Sequence, residues 1–156
     1  MGIRTGKPAV ILLVEDDPGD QELTRRALTE GVFRADLRIV SDGEEALDYL
    51  HRRGAYADSD DAPLPDLILL DLNMPKLDGK DVLRAVKSHV TLRSLPVVVL
   101  TTSQQEADVF RSYDLGCNSF ISKPVVADAF VDVIRELGSY WFELVTLPRY
   151  EKAGVL

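Results

Sequence analysis

The sequence predicts an α/β fold in which a doubly wound parallel sheet of five strands is covered by helices on both faces, and three observations carry that expectation. Apolar runs alternate with helix-period segments from end to end, the pattern of strands joined by crossover helices. The runs Ala9–Val14, Leu67–Leu70 and Val97–Leu100 are continuous in aliphatic residues, as expected of strands buried on both sides. Two further runs, Leu37–Val40 and Asn118–Ser122, mix polar with apolar residues and suit exposed edges. Strands 1, 3 and 4 therefore belong inside and strands 2 and 5 outside, which is the flavodoxin-like (βα)5 order 2-1-3-4-5.

Capping chemistry marks where the helices begin. Asp17 followed by Pro18 fits an N-cap and a first helical position, while Ser41 with Glu44 and Ser103 with Glu106 each fit a capping box. The helices are expected at about 18–30, 43–52, 79–89, 104–114 and from about 126 onward. Residues 53–65, rich in Asp, Gly and Pro, read as a surface loop. In the last helix Phe130, Val133, Ile134, Leu137, Trp141, Leu144 and Val145 keep 3,4 spacing through Gly138 and stop before Pro148. That spacing predicts one helix of about twenty residues; the alternative is that Gly138 ends it and a separate tail follows. Either way Tyr140, Trp141 and Phe142 lie beyond the sheet, where bare aromatics are the best interface candidates in the chain.

Length and composition narrow the function classes. A chain of 156 residues fits one domain. No apolar run approaches the about 20 residues of a membrane span, and the first seven residues are too polar for a signal peptide, so a cytoplasmic location is expected. The single Cys117 excludes an intrachain disulfide and reads as a small buried apolar residue. With 18 basic and 26 acidic residues the net charge is −8, which argues against nucleic acid and anionic membranes and favours proteins or cations as partners. His51 and His89 fall on expected helices without evident partners and read as solvated surface residues. The Arg52-Arg53 pair is balanced by the acidic loop that follows it.

The chemistry is expected where doubly wound sheets bind ligands, beyond the carboxyl ends of the strands at the reversal of strand order, here between strands 1 and 3. Strand 1 runs into Glu15-Asp16-Asp17, strand 3 into Asp71, strand 4 into Thr101-Thr102 and strand 5 into Lys123. Three carboxylates so close cannot all stay ionised unless something offsets their repulsion, and a hard divalent cation does so. Mg2+ takes about six oxygen ligands and commonly shares phosphate oxygens, so Glu15, Asp16, Asp71 and the backbone carbonyl of Asn73 would form a partial cage. Phosphoryl transfer onto a carboxylate needs a nucleophile, a cation to neutralise equatorial oxygens and a hydroxyl to bond one of them; Asp71, Lys123 and Thr101 fit those roles. Taken singly each has a plainer reading: Asp17 as a helix cap, Asp71 as a turn opener, Thr101 as a strand-end hydroxyl, Lys123 as a solvated lysine. Their convergence on one rim favours the chemistry.

These residues resemble the receiver domains of two-component response regulators, of the single-domain chemotaxis kind. The resemblance covers about residues 8 to 138, leaving 139–156 as an extended last helix and tail. It rests on Val14-Glu15-Asp16-Asp17, Leu69-Leu70-Asp71-Leu72-Asn73-Met74-Pro75 with Asp78-Gly79, Leu100-Thr101-Thr102-Ser103 and Phe120-Ile121-Ser122-Lys123-Pro124, with 30 residues from Asp71 to Thr101 and 22 from Thr101 to Lys123. It implies that Asp71 is the phosphoacceptor, Glu15 and Asp16 the acidic pair around Mg2+, Asn73 a backbone ligand, Thr101 and Lys123 the phosphoryl contacts, Phe120 the switch aromatic and Lys123-Pro124 a cis peptide. The loop after the second helix, Gly116–Phe120 and the Tyr140–Pro148 ending are similar to the regulators that serve cyanobacterial and bacterial phytochrome kinases. That likeness implies a light-sensing histidine kinase as partner and a homodimer through helix 4, strand 5 and helix 5. Two departures stand out: Phe120 lacks the hydroxyl of the more usual tyrosine, and Thr102 is bulkier than the small residue often found there. The rival readings are a haloacid-dehalogenase-like phosphohydrolase, which would carry an Asp where Asn73 stands, and an adaptor that keeps only the fold.

Overall fold

A computed structural model describes residues 8–30, 34–74, 76–102 and 105–144. Five parallel strands, β1 (Ala9–Val14), β2 (Ala35–Val40), β3 (Leu67–Leu70), β4 (Val97–Thr101) and β5 (Ser119–Ser122), lie in the order β2-β1-β3-β4-β5. The helices are α1 (Pro18–Thr29), α2 (Gly43–His51), α3 (Gly79–Ser88), α4 (Glu106–Asp114) and α5 (Ala127–Ser139). Every residue of β3 and β4 is buried, whereas β2 and β5 are largely half-buried, as their mixed composition requires.

The two-residue period of the strands divides the aliphatic side chains between two cores. Leu12, Val14, Ile68, Leu70, Val97 and Val99 pack with Ala46 and Leu50 of α2 and Val82, Leu83 and Val86 of α3. Their neighbours Ile11, Leu13, Leu67, Leu69, Val98 and Leu100 pack on the other face with Leu28 of α1 and Phe130, Ile134 and Leu137 of α5. Each such side chain contributes about 1.5–3 kcal/mol by leaving water, so both faces hold the sheet and fix its rim.

Asp17 caps α1 as expected, accepting from the backbone N–H of Gly19 at 2.9 Å with Pro18 at the first helical position. The cap of α2 is displaced by one residue: Asp42, not Ser41, accepts from the Glu45 N–H at 2.8 Å, and the Glu45 carboxylate accepts from the Ser41 N–H at 2.8 Å. Adjacent Ser41-Asp42 and Glu44-Glu45 offer two capping registers, and the structure takes the second, with Gly43 set against the β3–α3 loop. A Cβ on Gly43 would lie 2.1 Å from the carbonyl oxygen of Leu77. Gln105 caps α4 without a side-chain bond, and Ser103 lies outside the described residues.

Residues 53–65 are a loop, but a fastened one, with single 3-10 turns at Gly54–Tyr56 and Ser59–Asp61. Tyr49 donates to the carbonyl of Pro63 at 2.7 Å, Tyr56 donates to Glu45 at 2.6 Å, and the two rings meet edge to face at 5.1 Å.

The last helix does pass through Gly138, continuing from α5 into a π-helical turn at Tyr140–Leu144; Val145 to Pro148 lie outside the described residues. The wider turn shifts the facing of the residues that follow. It corrects the expectation of three bare aromatics: Phe142 is buried in the core, Trp141 packs half-buried against it, and only Tyr140 is open, 54 % exposed. His51 and His89 are likewise not solitary, since their rings meet edge to face at 5.1 Å between the ends of α2 and α3. Lys123-Pro124 is trans rather than cis, the isomer ordinarily preferred before proline, and the lysine still points inward from it. None of the described helices is long and apolar enough to cross a membrane.

Candidate phosphoryl-transfer site

Backbone bonds carry the strands one residue past their ladders and so deliver the polar side chains to one rim. Register pairs Val14 of β1 with Leu70 of β3; beyond it the Asp71 N–H donates to the Val14 carbonyl at 3.0 Å and the Glu15 N–H to the Val40 carbonyl at 3.0 Å. On the other side the Lys123 N–H donates to the Thr101 carbonyl at 2.8 Å. Glu15, Asp71, Thr101 and Lys123 are all buried, although each is a polar residue that ordinarily stays at the surface.

The expected residues come together. One carboxylate oxygen from each of Glu15, Asp16 and Asp71 lies within 4.8 Å of the others, with Asp16 exposed at the mouth. The Lys123 ammonium donates to Glu15 Oε1 at 2.5 Å and to Asp71 Oδ2 at 3.4 Å. Asn73 sits on the exposed side of the rim, its N–H donating to Asp71 Oδ1 at 3.4 Å and its side-chain amide to Thr101 Oγ1 at 3.5 Å. Phe120, three residues before Lys123 and paired with Val99 across β4 and β5, is half-buried against the α2–α3 core.

The electrostatics follow from burial. Removal from water pushes the Glu15 carboxyl up to about 7; the nearby Asp71 charge adds to the rise, while hydrogen bonds from Lys123 and from the Asp17 N–H offset part of it. For Lys123 burial alone would favour the neutral amine, but hydrogen bonds to Asp20 and Glu15 and the charge of Asp71 outweigh it, so its pKa is raised. The lysine is a fixed cation. Three converging carboxylates are the donor set of a hard divalent cation, and a lone ammonium cannot neutralise them.

Asp20 was not expected here. It lies in the first turn of α1 and accepts from Lys123 at 2.8 Å, closer than Asp71 does. In the sequence it reads as one more acid favoured by a helix N-terminus, and no local spacing ties it to a lysine 103 residues away. Tyr113 of α4 was missed for the same reason; its hydroxyl accepts from the Phe120 N–H at 3.1 Å.

Comparison with known proteins agrees with this geometry. The family described as the response regulator receiver domain matches residues 11–135. Response regulator Rcp1 of Synechocystis sp. is 41% identical over 148 residues, spanning 95% of this chain and 99% of the relative. The Mn2+-bound crystal structure of Rcp1 superposes with a TM-score of 0.84 at 42% identity, covering 91% of this chain and 100% of the other. The phosphorylated cyanobacterial phytochrome response regulator RcpA superposes with a TM-score of 0.86, also at 42% identity, over 91% and 99% of the two chains. Sheet order, the acidic cluster and the buried lysine thus meet in a protein that belongs to the response regulator receiver domain family and is similar to a phytochrome response regulator.

Proposed function

We propose that Asp71 accepts a phosphoryl group from a sensor histidine kinase of the phytochrome type, in a Mg2+-dependent reaction, and that the chain then signals in the cytoplasm by protein contacts without turning over a substrate. The observation that carries this reading is the buried Lys123 ammonium, 3.4 Å from Asp71 Oδ2 at the edge of a three-carboxylate cluster. In the transfer an Asp71 oxygen forms the new O–P bond as the P–N bond of a phosphohistidine breaks; the electron pair stays on the imidazole, which takes up a proton, and an acyl phosphate results. Glu15, Asp16, Asp71 and the Asn73 carbonyl would hold Mg2+, which when bound neutralises charge on the phosphoryl oxygens. Lys123 and the Thr101 hydroxyl contact those oxygens.

Phosphorylation adds roughly two negative charges at one spot. Thr101 moves toward them, and Phe120 turns into the space vacated beneath α4. The face that reports the change carries Phe110, 76 % exposed, with Tyr113, Val125 and Val126, and pairs α4, β5 and α5 with a second copy of the chain. Similarity to a phosphorylated phytochrome response regulator and to a Mn2+-bound regulator supports the kinase class and the divalent ion. Incubation with labelled acetyl phosphate and Mg2+ tests the reading: label should enter the wild-type chain and be lost in Asp71→Asn, and undiminished incorporation into the variant overturns it.

A further inference from the structure

We propose that Asp20 is a positioning residue for Lys123: its carboxylate holds the ammonium on the α1 side of the site and competes for it with the phosphoryl group. The inference rests on the reading of Asp71 as acceptor. Lys123 Nζ lies 2.8 Å from Asp20 Oδ2 but 3.4 Å from Asp71 Oδ2. Asp20 is therefore the nearer of these two partners.

A first-turn acid is favoured by the N-terminus of α1 wherever its carboxylate points, but capping does not call on this one. The helix is already capped by Asp17, which accepts from the Gly19 N–H, and the Thr24 hydroxyl engages the Asp20 backbone carbonyl, not its side chain. The Asp20 side chain is three-quarters buried, and the lysine it accepts from is itself 4 % exposed. A charge-assisted bond in such surroundings is roughly twice as strong as a neutral one.

The consequence for an incoming phosphoryl group has a definite sign. Asp20 adds a negative charge beside a site that must accept an anion, and it engages the cation that must contact that anion. Both effects oppose phosphorylation, so the unphosphorylated state is favoured by Asp20. The effect on a cation is opposite, because each carboxylate near Glu15, Asp16 and Asp71 adds to the attraction for a divalent ion.

Fluoroberyllate, an equilibrium mimic of the phosphoryl group, separates these effects. At saturating Mg2+ the Asp20→Asn variant is expected to bind fluoroberyllate about fivefold or more tightly than wild type, while its Mg2+ affinity in the absence of fluoroberyllate falls. Asp20→Glu, which restores the charge, is expected to return both toward wild type. A thermal melt of each variant checks folding, and Asp20→Ser serves as a second neutral replacement. Equal or weaker fluoroberyllate binding by a folded neutral variant overturns the role of Asp20. Absence of fluoroberyllate binding by wild type overturns the acceptor reading, and this proposal with it.

Discussion

A Cβ atom placed on Gly79 would lie 2.2 Å from the carbonyl oxygen of Asp71 and 2.6 Å from the Cα of Leu72, so the start of α3 is seated directly against the backbone that presents Asp71, the proposed phosphoacceptor. The Gly79 N–H closes the contact by donating to the Leu72 carbonyl at 2.9 Å. Gly79→Ala must push α3 and the Asp71 backbone apart. The variant should lose about 1–3 kcal/mol of stability in urea unfolding and bind fluoroberyllate more weakly. Wild-type values in both measurements would contradict the contact.

Lys123 neutralises charge that would otherwise be buried among Glu15, Asp20 and Asp71. Lys123→Met keeps an unbranched apolar side chain of nearly the same length and removes the ammonium. Without a divalent ion the variant should be less stable than wild type by about 3 kcal/mol, the usual consequence of breaking a buried pair from one side. Saturating Mg2+ should recover more stability in the variant than in wild type, because the ion then offsets repulsion that the lysine no longer does. Thermal melts with and without Mg2+ measure the difference, and an equal gain in both proteins would count against it.

The strands, their order and the acidic cluster were legible because each is written locally: aliphatic runs for the sheet, and Asp71, Thr101 and Lys123 at the strand ends where the fold gathers its chemistry. What escaped depended on contacts between distant elements. Asp20 and Tyr113 acquire their partners only when α1 and α4 are seated, whereas the α2 cap sits one residue further on because local sequence offers two equivalent capping registers. The facing of Phe142 escaped for another reason, since a π-helical turn breaks the 3.6-residue period from which facing is read.

The π-helical turn separates the two ends of Tyr140–Phe142 in what they do. Phe142 is 3 % exposed and belongs to the core beneath α1 and α5. Phe142→Ala should cost about 3–5 kcal/mol in urea unfolding. Tyr140→Ala should leave stability nearly unchanged and weaken self-association in sedimentation. A stable Phe142→Ala protein would contradict the packing, and an unaltered dimer fraction in Tyr140→Ala would remove that residue from the interface.

His51 gives the pair at the ends of α2 and α3 a pH dependence. Partial burial lowers its pKa, and the positive charge of Arg53 and the neighbouring His89 lower it further against an opposing effect of Asp48. The folded chain therefore favours neutral His51, while the unfolded chain takes up the proton near the ordinary value of about 6.5. The stability so contributed is present above that value and is lost as pH falls through the lower, folded pKa. His51→Gln should flatten the acid side of the stability profile relative to wild type. Parallel profiles for the two proteins would show that His51 carries none of the slope.

Tyr113 holds α4 to β5 at the residue proposed to switch. Phe120 has no hydroxyl with which to report its position, but its backbone N–H is bound by the Tyr113 hydroxyl at 3.1 Å, and Tyr113 stands beside Phe110 on the exposed face of α4. If Phe120 is the switch, this bond predicts that a change there reaches α4 through main chain rather than through the ring. Tyr113→Phe deletes that one acceptor and keeps the ring, so the loss of stability should be small, about 0.5–1.5 kcal/mol. Amide exchange at Phe120 should quicken well beyond that of Ile68 and Leu69 in the buried β3 strand. On adding fluoroberyllate, backbone shifts in α4 seen by NMR should shrink in Tyr113→Phe while those around Asp71 persist. If the α4 shifts survive at full size without the hydroxyl, coupling runs by another route.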